Sequence, residues 1–481
     1  MKMALVGALG GALVGCDGGG GGGNDAGTAP GTDAGEQPGT DGGGMPGTDG
    51  GGAGCGGWTH PADCPAEGVT VRGEICESMT WSCPLYLLDD RVWVVNGAVL
   101  TIDAGTEILG EAGAEGGSGL LVARGSRLEA NGTAAAPIVF TSGNVEGARV
   151  TGDWAGVALL GSATTNDGSC VNDGNPATPE CDAPGYLEDR IEGVEVADPR
   201  GRYGGTDDAS SCGTLRYVRI EFAGAELSPD NELNGLTLGG CGSGTVLSHI
   251  QIHRGKDDAI EFFGGTASVD HLVLSGYGDD GFDCDEGWRG NVQFMIIHQY
   301  PGLGDNAIEC DNLGSNEFAM PRTTPNVANF TIVGPGTTEG RVAVIREGMA
   351  GTFVNGIITS FRRPPDLRAA QVDLTTMWPS VLRWEHSYFF DLGGWEDESA
   401  AENDDDMGFD EQAAFEDAAR NNRFDVNPMI GSASITAPNY RPGVALTGTT
   451  PSFGTTTATY AGAIPMTGDD WTAGWTAYPM N

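Results

Sequence analysis

The stretch Gly278 to Gly287, "GDDGFDCDEG", crowds Asp279, Asp280, Asp283, Asp285 and Glu286 around one cysteine, with no lysine or arginine among them. Carboxylates this close repel one another unless a cation, bound protons or solvent relieves the charge. Related runs stand nearby: "DDAIEFFGG" begins at Asp257 and "DNAIECDN" at Asp305. Acidic oxygens with no imidazole or free thiolate beside them suit a hard cation, and calcium is the usual extracellular one. The expected ligands are Asp257, Asp258, Asp279, Asp280, Asp283, Asp305 and Glu309, and the expected cofactor is Ca2+.

What positions them is a repeat. "LSHIQI" from Leu247, "VDHLVL" from Val269, "VQFMII" from Val292, "VANFTI" from Val327 and "FVNGII" from Phe353 align at intervals of 22, 23, 35 and 26 residues. Each is a short alternating strand rich in branched residues, and the spacing is that of one coil of a solenoid. A second strand follows in each coil. It places Leu236, Ile260, Phe282, Ile308 and Ala343 in one inward file and Leu238, Phe262, Cys284, Cys310 and Ile345 in the next. The interval of 35 holds "NEFAMPRTTP", which reads as an inserted loop. The fold class expected is all-β: a right-handed parallel β-helix with inserted loops and a short C-terminal helix near Phe409 to Asn422, N-capped by Asp410. Coils stack about 4.8 Å apart. Asp257, Asp279 and Asp305 then share one outward column, Asp258, Asp280 and Asn306 a second, and Glu261, Asp283 and Glu309 a third. Asp285, Asp311 and Arg346 make a fourth.

The chain's start points to export. "MKMALVGALGGALVGC" has one basic residue and a short apolar run ending at Cys16, and Leu13 to Cys16 looks like a lipobox. That likeness implies removal of 1–15 and lipidation of Cys16, a partnership with a membrane through lipid. The localisation expected is the cell envelope, with outer membrane or cell surface favoured over the inner membrane. Residues 16–54, rich in Gly, Asp, Thr and Pro with "PGTD" at Pro30, Pro38 and Pro46, cannot bury a core and read as a tether. Ten cysteines remain, an even number in an exported chain. The register pairs Cys284–Cys310 and Cys212–Cys241, Cys170–Cys181 closes a loop, and Cys55–Cys64 with Cys76–Cys83 is the simplest arrangement before the first coil. A Cys-rich cap over 55–90, the solenoid over 91–365 and final coils with a cap over 366–481 complete the organisation. With 67 acidic against 24 basic residues and a formal charge of −43, nucleic acid is not a partner.

Two resemblances follow. "GDDGFDCDEG" resembles the calcium motif of the ninth polysaccharide lyase family, pectate lyases on a β-helix, which implies Asp279, Asp280 and Asp283 as ligands and a basic residue as proton acceptor. Lys2 and Lys256 are the only lysines, so the candidate bases are Lys256, Arg254, Arg289 and Arg346. More broadly, "FFGGTASVDHLVLSGYGDDGFDCDEGWRG", "REGMAG" and "YAGAIPMTGDDWTAGWT" are similar to secreted or lipid-anchored β-helical proteins of Bacteroidetes-like bacteria. The reading is a glycan-binding or surface-structural protein, with a calcium-dependent polysaccharide lyase as the alternative; a polysaccharide and an outer-membrane protein are the expected partners. Trp471 and Trp475 read as cap packing, and His249 and His271, one coil apart, as stacked neighbours on a strand.

Overall fold

In the computed structural model, residues 57–113, 117–168, 187–195, 197–228, 231–395 and 405–481 are described. Cys16, the tether, Cys55 and the Cys170–Cys181 pair lie outside them. Twenty-three strands join one sheet system whose ladders run parallel, so the chain winds as a parallel β-helix. The repeat predicts the register: Leu247 pairs with Val269, Val269 with Val292, Val292 with Val327 and Val327 with Phe353. The second strands pair in the same way, Leu236 with Ile260, Ile260 with Phe282 and Phe282 with Ile308. Both inward files are buried, which fixes register because a one-residue slip would turn each file to solvent.

One backbone feature bends six successive coils. Tyr217, His249, His271, Phe294, Asn329 and Asn355 occupy one position of successive long strands, and all have φ between 51° and 62°. Pairing skips these residues, passing from Ser248–Asp270 to Ile250–Leu272. A single left-handed residue turns the strand from one face of the solenoid to the next; Asn and His tolerate that conformation better than most side chains.

Parallel pairing begins before position 91, with Val69–Ile75 on Leu85–Val94, so the first coil lies within the Cys-rich segment. Cys284 bonds Cys310 and Cys212 bonds Cys241, with Cα separations of 4.7 and 5.7 Å. The expected Cys55–Cys64 and Cys76–Cys83 pairs are corrected: Cys64 bonds Cys83, and Cys76 is disulfide-bonded elsewhere. The reason is packing across the cap. The Tyr86 hydroxyl accepts from the Cys83 backbone N–H at 2.9 Å and hydrogen-bonds His60 Nε2 at 2.7 Å, and so brings the segment carrying Cys64 onto the first turn.

The helix near the C-terminus is Glu411–Glu416, with the Asp410 carboxylate accepting from Ala413 N at 2.8 Å. Beyond it the chain returns along the outside of the solenoid as a strap. Side-chain amides hold it coil by coil: Asn355 to Thr449 O, Asn329 to Tyr460 O, Gln293 to Thr456 O and Gln251 to Ala477 O, each at 2.7–2.8 Å. Trp475, within the strap, is buried against Tyr217 and His249, in keeping with a packing role. No helix of the described residues is long and apolar enough to cross a membrane.

Candidate functional site

The short strands Ile260–Phe263, Phe282–Asp285 and Ile308–Cys310 turn Glu261, Asp283 and Glu309 outward in one column. Directly above Glu261 in the same column is Thr237. The turns entering these strands explain part of the crowding. Asp258 accepts the backbone N–H of Asp280 at 2.8 Å, and Asp280 accepts that of Asn306 at 2.7 Å. Each buried carboxylate thus satisfies an amide of the next coil that would otherwise be unpaired. Asp258 and Asp280 are 7 % and 5 % exposed, so this column is a structural ladder as much as a charged surface.

The two ends of the face differ. At the lower end Arg346 Nε reaches Asp311 at 2.6 Å, its Nη2 pairs with Glu309, and Asn306 Nδ2 donates to Glu309 Oε2 at 2.9 Å. Arg341, beside Asn306 in the next coil, pairs with Asp366. At the upper end, among the described residues, Asp258, Glu261, Asp279 and Asp283 have no ion pair. Oxygens of Asp258, Glu261 and Asp283 lie within 4.8 Å of one another, and so do oxygens of Asp257, Asp258 and Asp279.

This upper end opens into a cleft of about 280 Å3 lined by Glu192, Asn234, Thr237, Asp257, Asp258 and Glu261 among others. Thr237 is 1 % exposed and its Oγ1 has no hydrogen-bond partner; Asn234 is 6 % exposed, its Nδ2 donates to Glu261, and its Oδ1 has none. Unpaired buried oxygens are uncommon because desolvation without a partner is costly. Thr237 and Asn234 line the cleft with Asp258 and Glu261, and the all-oxygen chemistry of this lining fits calcium.

Electrostatics follow the same division. Burial first, and then the charge of neighbouring carboxylates, holds Asp258, Glu261 and Asp283 well above the usual carboxylate range. Asp280 is raised likewise. Burial also lifts Asp311, but Arg346 opposes it, and the group is held at about 7. Arg346 itself is drawn down by burial and more than restored by Asp311 and Glu309. Glu286, on the turn after the strand, is pushed up to about 8 by burial and Asp189, although Tyr203 and Thr165 donate to its Oε2 at 2.8 and 2.9 Å. Those two donors come from the insertion after Leu160, which packs beside the face.

The expected ligands therefore divide. Asp257, Asp258, Asp279 and Asp283 converge at the upper end; Asp280 is held in the ladder; Glu309 is taken by Arg346; and Asp305, exposed, is in neither convergent group. Thr237, Asn234 and Glu192 were not anticipated as lining residues. Only Thr237 had a signal, its alignment with Glu261 in the repeat. Of the candidate bases, Arg346 is committed to its carboxylates, and Arg289 is held by Asp208 at 2.9 Å and Thr164 at 2.7 Å. Arg254 is half-buried over Tyr300 and contacts Met480 Sδ. Lys256 is exposed and directly precedes Asp257.

Residues 73–476 match the model of a family described as pectate-lyase-like β-helix domains. The chain belongs to this family. Searches of curated proteins and of solved structures find no match. Membership accords with the parallel ladders, and it attaches a glycan-related role in general terms to a pectate-lyase-like β-helix whose acidic face lies on the short strands.

Proposed function

We propose that this pectate-lyase-like β-helix is a lipid-anchored protein of the cell envelope that holds a glycan through calcium bound at the upper end of its acidic face. The observation that carries this reading is the convergence of Asp258, Glu261 and Asp283 within 4.8 Å of one another, next to a cleft that Asp258 and Glu261 line together with Thr237 and Asn234, whose Oγ1 and Oδ1 are unpaired. A bound calcium keeps coordination positions for water or for sugar oxygens, since it takes six to eight ligands. The cleft beside it is open to such a chain. The test is affinity electrophoresis through polygalacturonate and through a neutral glucan, with and without calcium. Calcium-dependent retardation that Asp283→Asn abolishes is expected; equal mobility in every gel overturns the glycan reading. Lipidation of Cys16 predicts that Cys16→Ser moves the protein from membrane to soluble fraction, and a variant that stays with membranes and carries lipid removes that part.

A second reading, a calcium-dependent lyase, is favoured by the family match and by Lys256, the exposed base next to Asp257. Proton abstraction needs a base within hydrogen-bond reach of the substrate. A lyase would create unsaturated, ultraviolet-absorbing ends on a uronate polymer, and Lys256→Ala would stop their appearance. Silence with calcium present leaves the binding role alone.

A further inference from the structure

On the long strands, at the left-handed bend, His249 and His271 sit side by side in adjacent coils. Their rings stack with centroids 4.2 Å apart and planes within 11°. Asp270 brings a carboxylate oxygen to 3.2 Å from His271 Nδ1, and one nitrogen of each ring and one Asp270 oxygen all lie within 4.8 Å of one another. Asp270 and Ser248 also line a separate cleft of about 340 Å3, one edge of which is Gly454 and Thr455 of the strap.

We propose that His249, His271 and Asp270 form a binding site for a borderline divalent cation of the zinc class, chemically distinct from the acidic face. Two imidazoles and one carboxylate are a donor set for zinc and its neighbours and a poor one for calcium. Two donors bound tetrahedrally to one ion at about 2.1 Å stand about 3.4 Å apart, near the 3.2 Å between Asp270 and His271 Nδ1. Of the three donors, Asp270 lines the cleft. Other members of the same ladder, Tyr217, Phe294, Asn329 and Asn355, do not extend the donor set, so the site is confined to two coils. Burial, and then the neighbouring His271, lowers His249 to about 4. Ser248 Oγ hydrogen-bonds His249 Nδ1 at 2.9 Å.

The stack itself is the competing use of these rings. Parallel imidazoles aim their in-plane lone pairs side by side, so ligation by both requires the rings to swing apart. Trp471 lies edge-on to them, with its centroid 4.9 Å from that of His271 and 6.2 Å from that of His249, and reports such a movement.

The test titrates Zn2+ alone into the full chain by calorimetry, with excess Ca2+ present to occupy the acidic face. Controls are His249→Asn and His271→Asn, substitutions the ladder already accommodates at Asn329 and Asn355. One Zn2+ per chain, weakened at least tenfold in each variant, and nitrogen couplings from two imidazoles in the spectrum of the Cu2+ form are expected. No Zn2+ binding in excess Ca2+, or equal affinity in both folded variants, overturns the site and leaves the pair a packing stack.

Discussion

The lower and upper ends of the acidic face are built from the same repeat, yet Arg346 meets the carboxylates of the lower end alone. Going down one column, Thr237 gives way to Glu261, Asp283 and Glu309, and the last is met by Arg346. In the ladder, Asp258 and Asp280 give way to Asn306 and then Arg341. A stacked fold repeats charge at every coil, so it must end the column with an amide or a guanidinium, or leave it to an external cation. The lower end takes the first course. The upper end keeps three converging carboxylates, two unpaired neutral oxygens and an open cleft, and so is left for the second.

The most severe way to break this contrast is to remove the lower arginine. Arg346→Ala leaves Glu309 and Asp311 unpaired and largely shielded; with Arg346 itself about a third exposed, a loss of about 2 kcal/mol is expected. Thermal or urea unfolding measures it. Calcium should recover part of the loss in this variant, because the lower end then resembles the upper. A loss that calcium leaves untouched would mean that the two ends are not alternatives.

A smaller effect comes from pH. Glu286, held at about 8, and Asp311, at about 7, bind protons more tightly folded than unfolded, where carboxylates titrate near 4. A raised folded pKa contributes stability that is full below the unfolded value and is lost as pH rises through the folded one. The protein should therefore lose more than about 1 kcal/mol between pH 5 and 8. Stability that rises across this window would contradict the burial that raises Glu286 and Asp311.

The finest distinction is within the ladder. Asp280→Asn keeps an acceptor for the Asn306 N–H and removes one charge, so it should change stability by less than about 1 kcal/mol. Asp280→Ala leaves that buried amide unpaired and should cost about 1–3 kcal/mol. Hydrogen exchange at Asn306 separates the two. Equal exchange in both variants would show that Asp280 serves only as charge.

Strand register was legible because the inward files Leu236, Ile260, Phe282 and Ile308 repeat at nearly constant interval, and burial enforces the period. The columns of acids followed from it. What the residues do in those columns did not: Asp258 and Asp280 accept backbone amides across coils, a use of carboxylate that composition and spacing cannot distinguish from metal ligation. Thr237 and Asn234 carry no charge and gave little signal. Cys64–Cys83 was hidden because nearest-neighbour pairing ignores how the cap folds over Tyr86. Conversely, His249 and His271 were recognisable as stacked neighbours, while the contribution of Asp270 appears only when the bend brings the three together.

The central claim, that the upper end holds a hard cation which the lower end does without, is tested most directly by calorimetric titration of Ca2+ into the wild type and into a Glu261→Gln, Asp283→Asn variant at neutral pH. One calcium bound per wild-type chain, and none in the variant with its fold intact, is the predicted result. Equal binding by both proteins, or no heat from the wild type, would contradict it.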